Sequence, residues 1–264
     1  DRRLVRPFRA PHHTVSYAGL VGGGNPPRPG EASLAHNGVL FLDELPEFHR
    51  GTLEALRQPL ESGLIAVARA GGQGIFPSRF TFVAAANPCP CGHLGDSRRP
   101  CRCSGAAIER YQARLSGPRL DRIALHVHVG AVRPDDLADG PPPDVERSAD
   151  VRARVIAARE RQRARKAALG VRAETNARLA PDELAVAAPL EAESRKFLTR
   201  AAEKLGLTAR AYHRVIRVAR TVADLDGADA VAVHHLAEAL GYRLPERVGS
   251  ERMEGAGMRV VWGG

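Results

Sequence analysis

Lysine is nearly missing from this chain: Lys166, Lys196 and Lys204 are the only three among 39 basic Lys and Arg residues in 264. None is preceded by glycine, and each is followed by Ala, Phe or Leu rather than Ser or Thr. The G-x-x-x-x-G-K-[ST] loop that cradles nucleotide phosphates is therefore excluded from these residues. Aromatics are sparse at 5%, and no ladder of them exists of the kind on which single-stranded bases stack. No run approaches the ~20 apolar residues of a membrane span, and no secretory leader is visible; a cytoplasmic location without a membrane partner is expected. No Ser/Lys constellation supports proteolysis. Cysteine is limited to four residues, which in a chain without secretory features disfavours a disulfide framework.

Apolar residues make up 44% of the chain and charged residues 26%, enough for one large domain or two modest ones. The net charge of +9 is carried almost wholly by arginine. Such a surplus suits polyanionic partners such as nucleic acid, although GC-rich codon usage, which favours arginine over lysine, produces the same composition.

The chemistry begins at Gly38-Val-Leu-Phe-Leu-Asp-Glu44. Four apolar residues ending in two carboxylates read as a buried central strand that delivers Asp43 and Glu44 to the edge of a sheet. An ATPase needs that pair: the first carboxylate helps hold hydrated Mg²⁺, and the second orients or deprotonates the attacking water. A second run, Phe80-Thr-Phe-Val-Ala-Ala-Ala-Asn87, supplies a neighbouring strand whose terminal amide can reach the same water or the γ-phosphate. Either run alone fits a structural strand; the two together favour an NTPase. With no P-loop present, the chain reads as the C-terminal portion of a longer ATPase, and these residues alone are expected to bind ATP poorly.

Cys89, Cys91, Cys101 and Cys103 form the pattern C-x-C-x₉-C-x-C. Two tight pairs point to four-thiolate Zn²⁺, which would staple the loop after Asn87, with His93 as a substitute ligand. Four reduced structural thiols are the alternative.

Along the chain, residues 1–30 read as Gly/Pro/His-rich loop with at most a short hairpin, and 31–37 as a short helix. Leu53, Leu56 and Leu60 place a helix over 52–63. A β-hairpin with a glycine tip comes next, its arms at 64–69 and 75–80. Helix at 108–115 and strand at 123–129 complete a region ending near residue 132. Pro134 and Pro141-Pro-Pro143 mark a linker over 133–144. The next region, 145–245, opens with a long arginine-dense helix whose apolar stripe is Val151, Val155, Ala158 and Ala164. Its charges read as a solvated face with Arg/Glu pairs rather than as a nucleic-acid contact. Helices at 191–205, 209–225 and 231–241 form a small bundle, with Val215, Val218, Val222 and Leu225 as one stripe. The tail 246–264 reads as disordered.

Four segments carry a family likeness: His36-Asn-Gly-Val-Leu-Phe-Leu-Asp-Glu-Leu-Pro-Glu47, Ala86-Asn-Pro-Cys-Pro-Cys-Gly92, Ser116-Gly-Pro-Arg-Leu-Asp-Arg-Ile123 and Ala209-Arg-Ala-Tyr-His-Arg214. They resemble the magnesium-chelatase-like AAA+ ATPases, in the ComM/YifB branch, over about residues 5–243. The resemblance implies an α/β fold, the later part of a P-loop-type parallel sheet core followed by an α-helical lid. It implies ATP and Mg²⁺ as cofactors, with Asp43 and Glu44 as the Walker B pair and Asn87 as sensor 1. Arg122 is similar to the arginine finger that reaches a neighbouring subunit's nucleotide, with Asp121 read as structural, and Arg210 looks like sensor 2. The hairpin 64–79 matches the pre-sensor-1 insertion and the 12–30 stretch the helix-2 insertion, so that Arg69, Gln73 and Arg79 become candidate contacts to a DNA strand. The implied protein is a homo-hexameric DNA helicase or branch-migration motor serving recombination during natural transformation, with no small-molecule substrate beyond ATP. Two alternatives stand beside it: the ATPase subunit of a magnesium or cobalt chelatase, and a zinc-stapled nucleic-acid-binding module without catalysis.

Overall fold

The apolar run at 39–42 does become a central strand. In the computed structural model, which describes residues 5–69, 72–96, 98–114, 123–129, 138, 145–243 and 259–263, Val39–Leu42 (β4) lies between Phe8–Arg9 (β1) and Thr81–Ala86 (β7), parallel to both. Alternation along β4 sends Leu40 and Leu42, both 0% exposed, into the core and leaves Val39 and Phe41 half-buried on the other face. Gly38 admits the close approach of the first strand: a Cβ there would stand 1.9 Å from the Pro7 carbonyl oxygen, so no other residue fits without moving β1.

Beyond β7 the sheet continues through Arg259–Gly263 (β9), antiparallel, to Leu125–His128 (β8), giving the order β1-β4-β7-β9-β8. The disordered tail expected over 246–264 is thus corrected at 259–263, where Val260, Val261 and Trp262 are β-formers. Residues 1–30 hold more order than their composition suggests: Tyr17–Val21 (α1), capped by the Ser16 hydroxyl, leads into a short ribbon of Gly22–Gly23 (β2) and Arg28–Pro29 (β3). Glu31–Leu34 (α2) comes next, its Glu31 paired with Arg9 at 2.6 Å. The helix expected over 52–63 is two, Arg50–Ala55 (α3) and Arg57–Ser62 (α4), joined at Leu56.

Leu64–Arg69 (β5) and Gly72–Pro77 (β6) form the hairpin. One face packs Ile65 and Val67 into the core; the other presents Leu64, Ala66, Ala68, Gln73, Ile75 and Pro77. Gly105–Ala113 (α5), capped by Ser104, succeeds the cysteine loop.

The chain divides into two compact units, residues 1–131 with 250–264, and residues 132–249. Apart from residue 138, the 133–144 linker lies outside the described residues. The second unit is helical: Ser148–Leu169 (α6), Pro181–Ala187 (α7), Ala192–Leu205 (α8), Ala209–Leu225 (α9) and Val233–Gly241 (α10). Its core is built on α9 through Ala211, Val215, Ile216, Ala219, Val222 and Ala223, against Leu198 and Leu236. Leu225 of the expected stripe is exposed. The stripe expected on α6 fails further, since Val151, Val155 and Ala164 are exposed and only Ala158 is buried. This helix seats itself with polar groups instead. Arg165 Nη1 donates to Asn176 Oδ1 at 3.1 Å and to Asp224 Oδ2 at 3.2 Å, and Asp224 also meets the fully buried Arg220 at 3.0 Å. The α/β core with a helical second part is the fold class that the sequence implied. Among the described residues, no helix is long and apolar enough to cross a membrane.

Candidate functional site

Parallel pairing decides where the acidic pair goes. Leu42 stands opposite Ala84, so β4 and β7 run out at the same edge of the sheet. Asp43 succeeds β4 directly and Asn87 succeeds β7 directly, and Asp43, Glu44 and Asn87 are all exposed. At Glu44 the chain enters the left-handed region, φ 51° and ψ 45°, a conformation that costs a non-glycine residue about 1–2 kcal/mol. A 3-10 turn over Leu45–Glu47 comes next, with Leu45, Pro46 and Phe48 buried beneath it. Those anchors hold the turn, and strain so held is a mark of sites where direction matters more than stability. The Glu44 N–H donates to Asp43 Oδ1 at 2.9 Å.

His13 is the residue that sequence reasoning missed. Its Nδ1 lies 3.1 Å from Glu44 Oε2, and its ring sits 4.0 Å from that of His12 and edge-on to Phe48. Because β1 is also parallel to β4, the segment leaving it emerges at the same edge as the acids. The available signal was the His12-His13 doublet just after Phe8-Arg9, which a reading of residues 1–30 as loop passes over.

The cysteine loop and α5 close around this edge. A Cβ on Gly92 would sit 3.9 Å from the Asn87 amide. Gln112 donates to the Pro88 carbonyl at 3.3 Å, and Arg114 to the Pro46 carbonyl at 3.1 Å. Tyr111 is buried, and burial, reinforced by the charges of Glu47, Cys89 and Glu44, pushes its phenol up to about 12. Two exposed carboxylates with a neighbouring amide can bind a hydrated divalent cation and orient a water.

Cys89, Cys91, Cys101 and Cys103 converge: one sulfur from each, all within 4.8 Å of one another. The sulfur separations are 3.4 Å for Cys89–Cys91 and 3.6 Å for both Cys89–Cys101 and Cys91–Cys101. A tetrahedron with Zn–S arms of about 2.3 Å has edges of roughly 3.8 Å, so the set fits a tetrahedral thiolate metal. The backbone N–H groups of His93 and Arg102 pull the Cys91 thiol down to about 6. At Cys101 the Cys103 N–H acts in the same direction, but burial and the neighbouring sulfurs outweigh it and push the thiol up to about 12. His93, the substitute ligand, turns to Asp96 at 3.5 Å and stands apart from the four thiols.

The remaining sequence candidates are dispersed. Gln73 is exposed near the tip of the hairpin, and Arg69 pairs there with Gly72 through its backbone, its side chain lying outside the described residues. Arg79 sits at the hairpin's base instead, its side chain against Gly63 and its N–H on His36 Nδ1 at 3.0 Å. Arg210 is exposed in the first turn of α9, in the second unit. Arg122 and Asp121 lie outside the described residues.

Comparison with known proteins places the chain. Residues 2–137 match the family model described as magnesium chelatase, subunit ChlI, and residues 145–243 match that of the ChlI C-terminal part. The chain is 49% identical over 243 residues to competence protein ComM of Haemophilus influenzae, covering 92% of this chain and 46% of the relative. It is 47% identical over 244 residues to the uncharacterized protein YifB of Escherichia coli, with the same 92% and 46% coverage. An uncharacterized protein of Mycobacterium tuberculosis is 42% identical over 240 residues, 90% of this chain and 46% of its own. The chain thus spans about half the length of the curated relatives it matches. With both of its units matched in order, the chain belongs to the magnesium chelatase ChlI family.

Proposed function

We propose that the whole protein is an ATP-driven AAA+ motor that works on DNA as a homo-hexameric ring, in recombination during natural transformation. The observation that carries this reading is the delivery of Asp43, Glu44 and Asn87 to one sheet edge by parallel strands. In it, Asp43 holds hydrated Mg²⁺ and Glu44 orients the water that attacks the γ-phosphate of ATP. Asn87 senses that phosphate, and Arg210 reports it to the helical unit. Arg122, a permanent cation with a fork suited to phosphate oxygens, reaches the nucleotide of the adjoining subunit. The His13 contact holds Glu44 in a defined direction before nucleotide arrives. Zn²⁺ on the four thiols fixes the loop that borders Asn87; its role is structural, since four protein ligands leave no open position for chemistry. The DNA partner draws support from the basic balance of the chain and from the name of the ComM relative, a competence protein.

The chelatase family model favours a second reading, an ATPase that remodels a chelatase partner protein. One experiment separates them. ATP turnover of the whole protein is measured alone, with branched DNA, and with a chelatase partner. A rise of several-fold with DNA is expected; a rise only with the partner protein transfers the assignment to the chelatase reading. Glu44→Gln is expected to lower turnover at least ~100-fold while nucleotide still binds. Unchanged turnover in that variant would remove Glu44 from the chemistry.

A further inference from the structure

Sequence patterning pairs the arginines of the long helix α6 with glutamates along its own surface. The structure does not. Residues 151–169 contain a single acid, Glu160, and the ion pairs made by the helix reach elsewhere: Arg154 to Glu146, Arg161 to Asp229, Arg165 to Asp224 and Lys166 to Glu174. Arg152, Arg159 and Arg163 form no ion pair with a carboxylate among the described residues; Glu174, held by Lys166, feels Arg159 and Arg163 only as weaker, more distant charges. At 100° per residue these three arginines fall within a sector of about 40°, spaced about 10 Å and 6 Å along the helix axis. Glu160 points roughly 60–100° away from that sector. Arg152 and Arg163 are exposed, Arg159 is half-exposed, and the helix is exposed at every residue from 151 to 157. Ile156, 50% exposed, lies beside them on the same side. Residues 145–243 hold 19 Lys and Arg against 13 Asp and Glu, a net +6 over that stretch.

A solvated helix surface ordinarily mixes charges of both signs, because like charges at i,i+4 spacing repel. Arg159 and Arg163 stand at that spacing with no acid between them on that side, an arrangement that is unfavourable until a polyanion neutralises it. Guanidinium groups in line suit successive phosphate oxygens, each taken by a planar fork. The apolar side chain between them suits the sugar and base faces better than a second acidic protein surface. We infer that the Arg152–Arg159–Arg163 side of α6 is a nucleic-acid backbone contact. The inference takes its partner from the DNA-motor reading and adds where on the chain that partner lies.

The test is fluorescence anisotropy of the full chain with a labelled single strand of about 30 nucleotides and the corresponding duplex, titrated at several salt concentrations. Arg152→Ala/Arg159→Ala/Arg163→Ala is expected to bind about 10- to 100-fold more weakly at low salt, with the slope of log Kd against log salt reduced by about 2–3. Lys196→Ala/Arg200→Ala/Lys204→Ala on α8 removes the same charge from an exposed surface of the same unit and is expected to change Kd less than about threefold. The single variants Arg152→Ala and Arg163→Ala, which lose one exposed guanidinium each, are expected to lower the slope by about 1 and keep the result readable should the triple variant misfold. Equal binding by wild type and α6 variants, or equal loss in the α8 control, overturns the inference while leaving the DNA reading in place. Failure of the wild-type chain to bind either probe at low salt rejects the contact together with its partner.

Discussion

At the scale of single residues, the loop after Asn87 is governed by its sulfurs. Two backbone N–H groups aimed at Cys91 stabilise its thiolate form, and that anion is the one a metal binds. The four sulfurs packed within 4.8 Å differ in their ease of ionisation: burial and the neighbouring sulfurs push Cys101 up to about 12, whereas the backbone N–H groups bring Cys91 down to about 6. Purified under reducing conditions, the chain is expected to carry one zinc per molecule by elemental analysis, and Cys101→Ser less than half of that. A metal-free wild type with full thermal stability would return the four thiols to a purely structural role. The spacing of the cysteines was enough to find this set. Sequence had no means of separating His93 from it, because the turn that sends the imidazole to Asp96 is a property of backbone direction. The same holds at His13, whose meeting with Glu44 depends on two parallel strands that share no local signal.

At the scale of elements, period and length were the legible signals. Val39–Leu42 read as a central strand because it is a continuous apolar run, and Phe80–Ala86 as its neighbour because Thr81 alone interrupts the apolar residues; α9 read as a helix because its apolar residues recur every three to four. Leu56, read as mid-helix, proved a joint between two short helices, since the spacing of Leu53, Leu56 and Leu60 is the same in either case. The α6 stripe misled for a deeper reason. Its packing is carried by Arg165 and Gln162, polar residues that hydrophobic patterning scores as solvent-facing, and by Asn176 and Asp224 from elsewhere in the chain. That network makes a firm prediction. Asp224→Ala leaves Arg220, itself fully buried, and Arg165 without their shared counter-charge. Breaking a buried pair in this way destabilises by about 3–5 kcal/mol, expected as a large fall in the midpoint of chemical unfolding. A change below about 1 kcal/mol would mean that the Asp229 and Ala228 carbonyls, which already accept from Arg220, suffice for it.

At the scale of the whole molecule, the proposed Arg122 contact in trans makes each active centre the joint property of two neighbours. Glu44→Gln and Arg122→Ala whole protein, each silent by itself, are therefore expected to regain turnover when mixed, because some centres then pair an intact Glu44 with an intact Arg122 from the neighbour. Mixtures as silent as the separate variants would argue against a contact in trans. Both units are net basic, the sheet-bearing one with 18 Arg against 12 Asp and Glu and the helical one with 21 Lys and Arg against 18.

The contact between Pro7 and Gly38 ties these scales together. Because the two backbones meet where a single methyl would intrude, even alanine at position 38 would act as a wedge under the first strand. The displaced strand would take the histidine doublet with it and leave the acid pair chemically intact but unguided. Loss of function could thus arise from an alteration that touches none of the polar groups at the sheet edge, through nothing more than the thickness of one carbon atom.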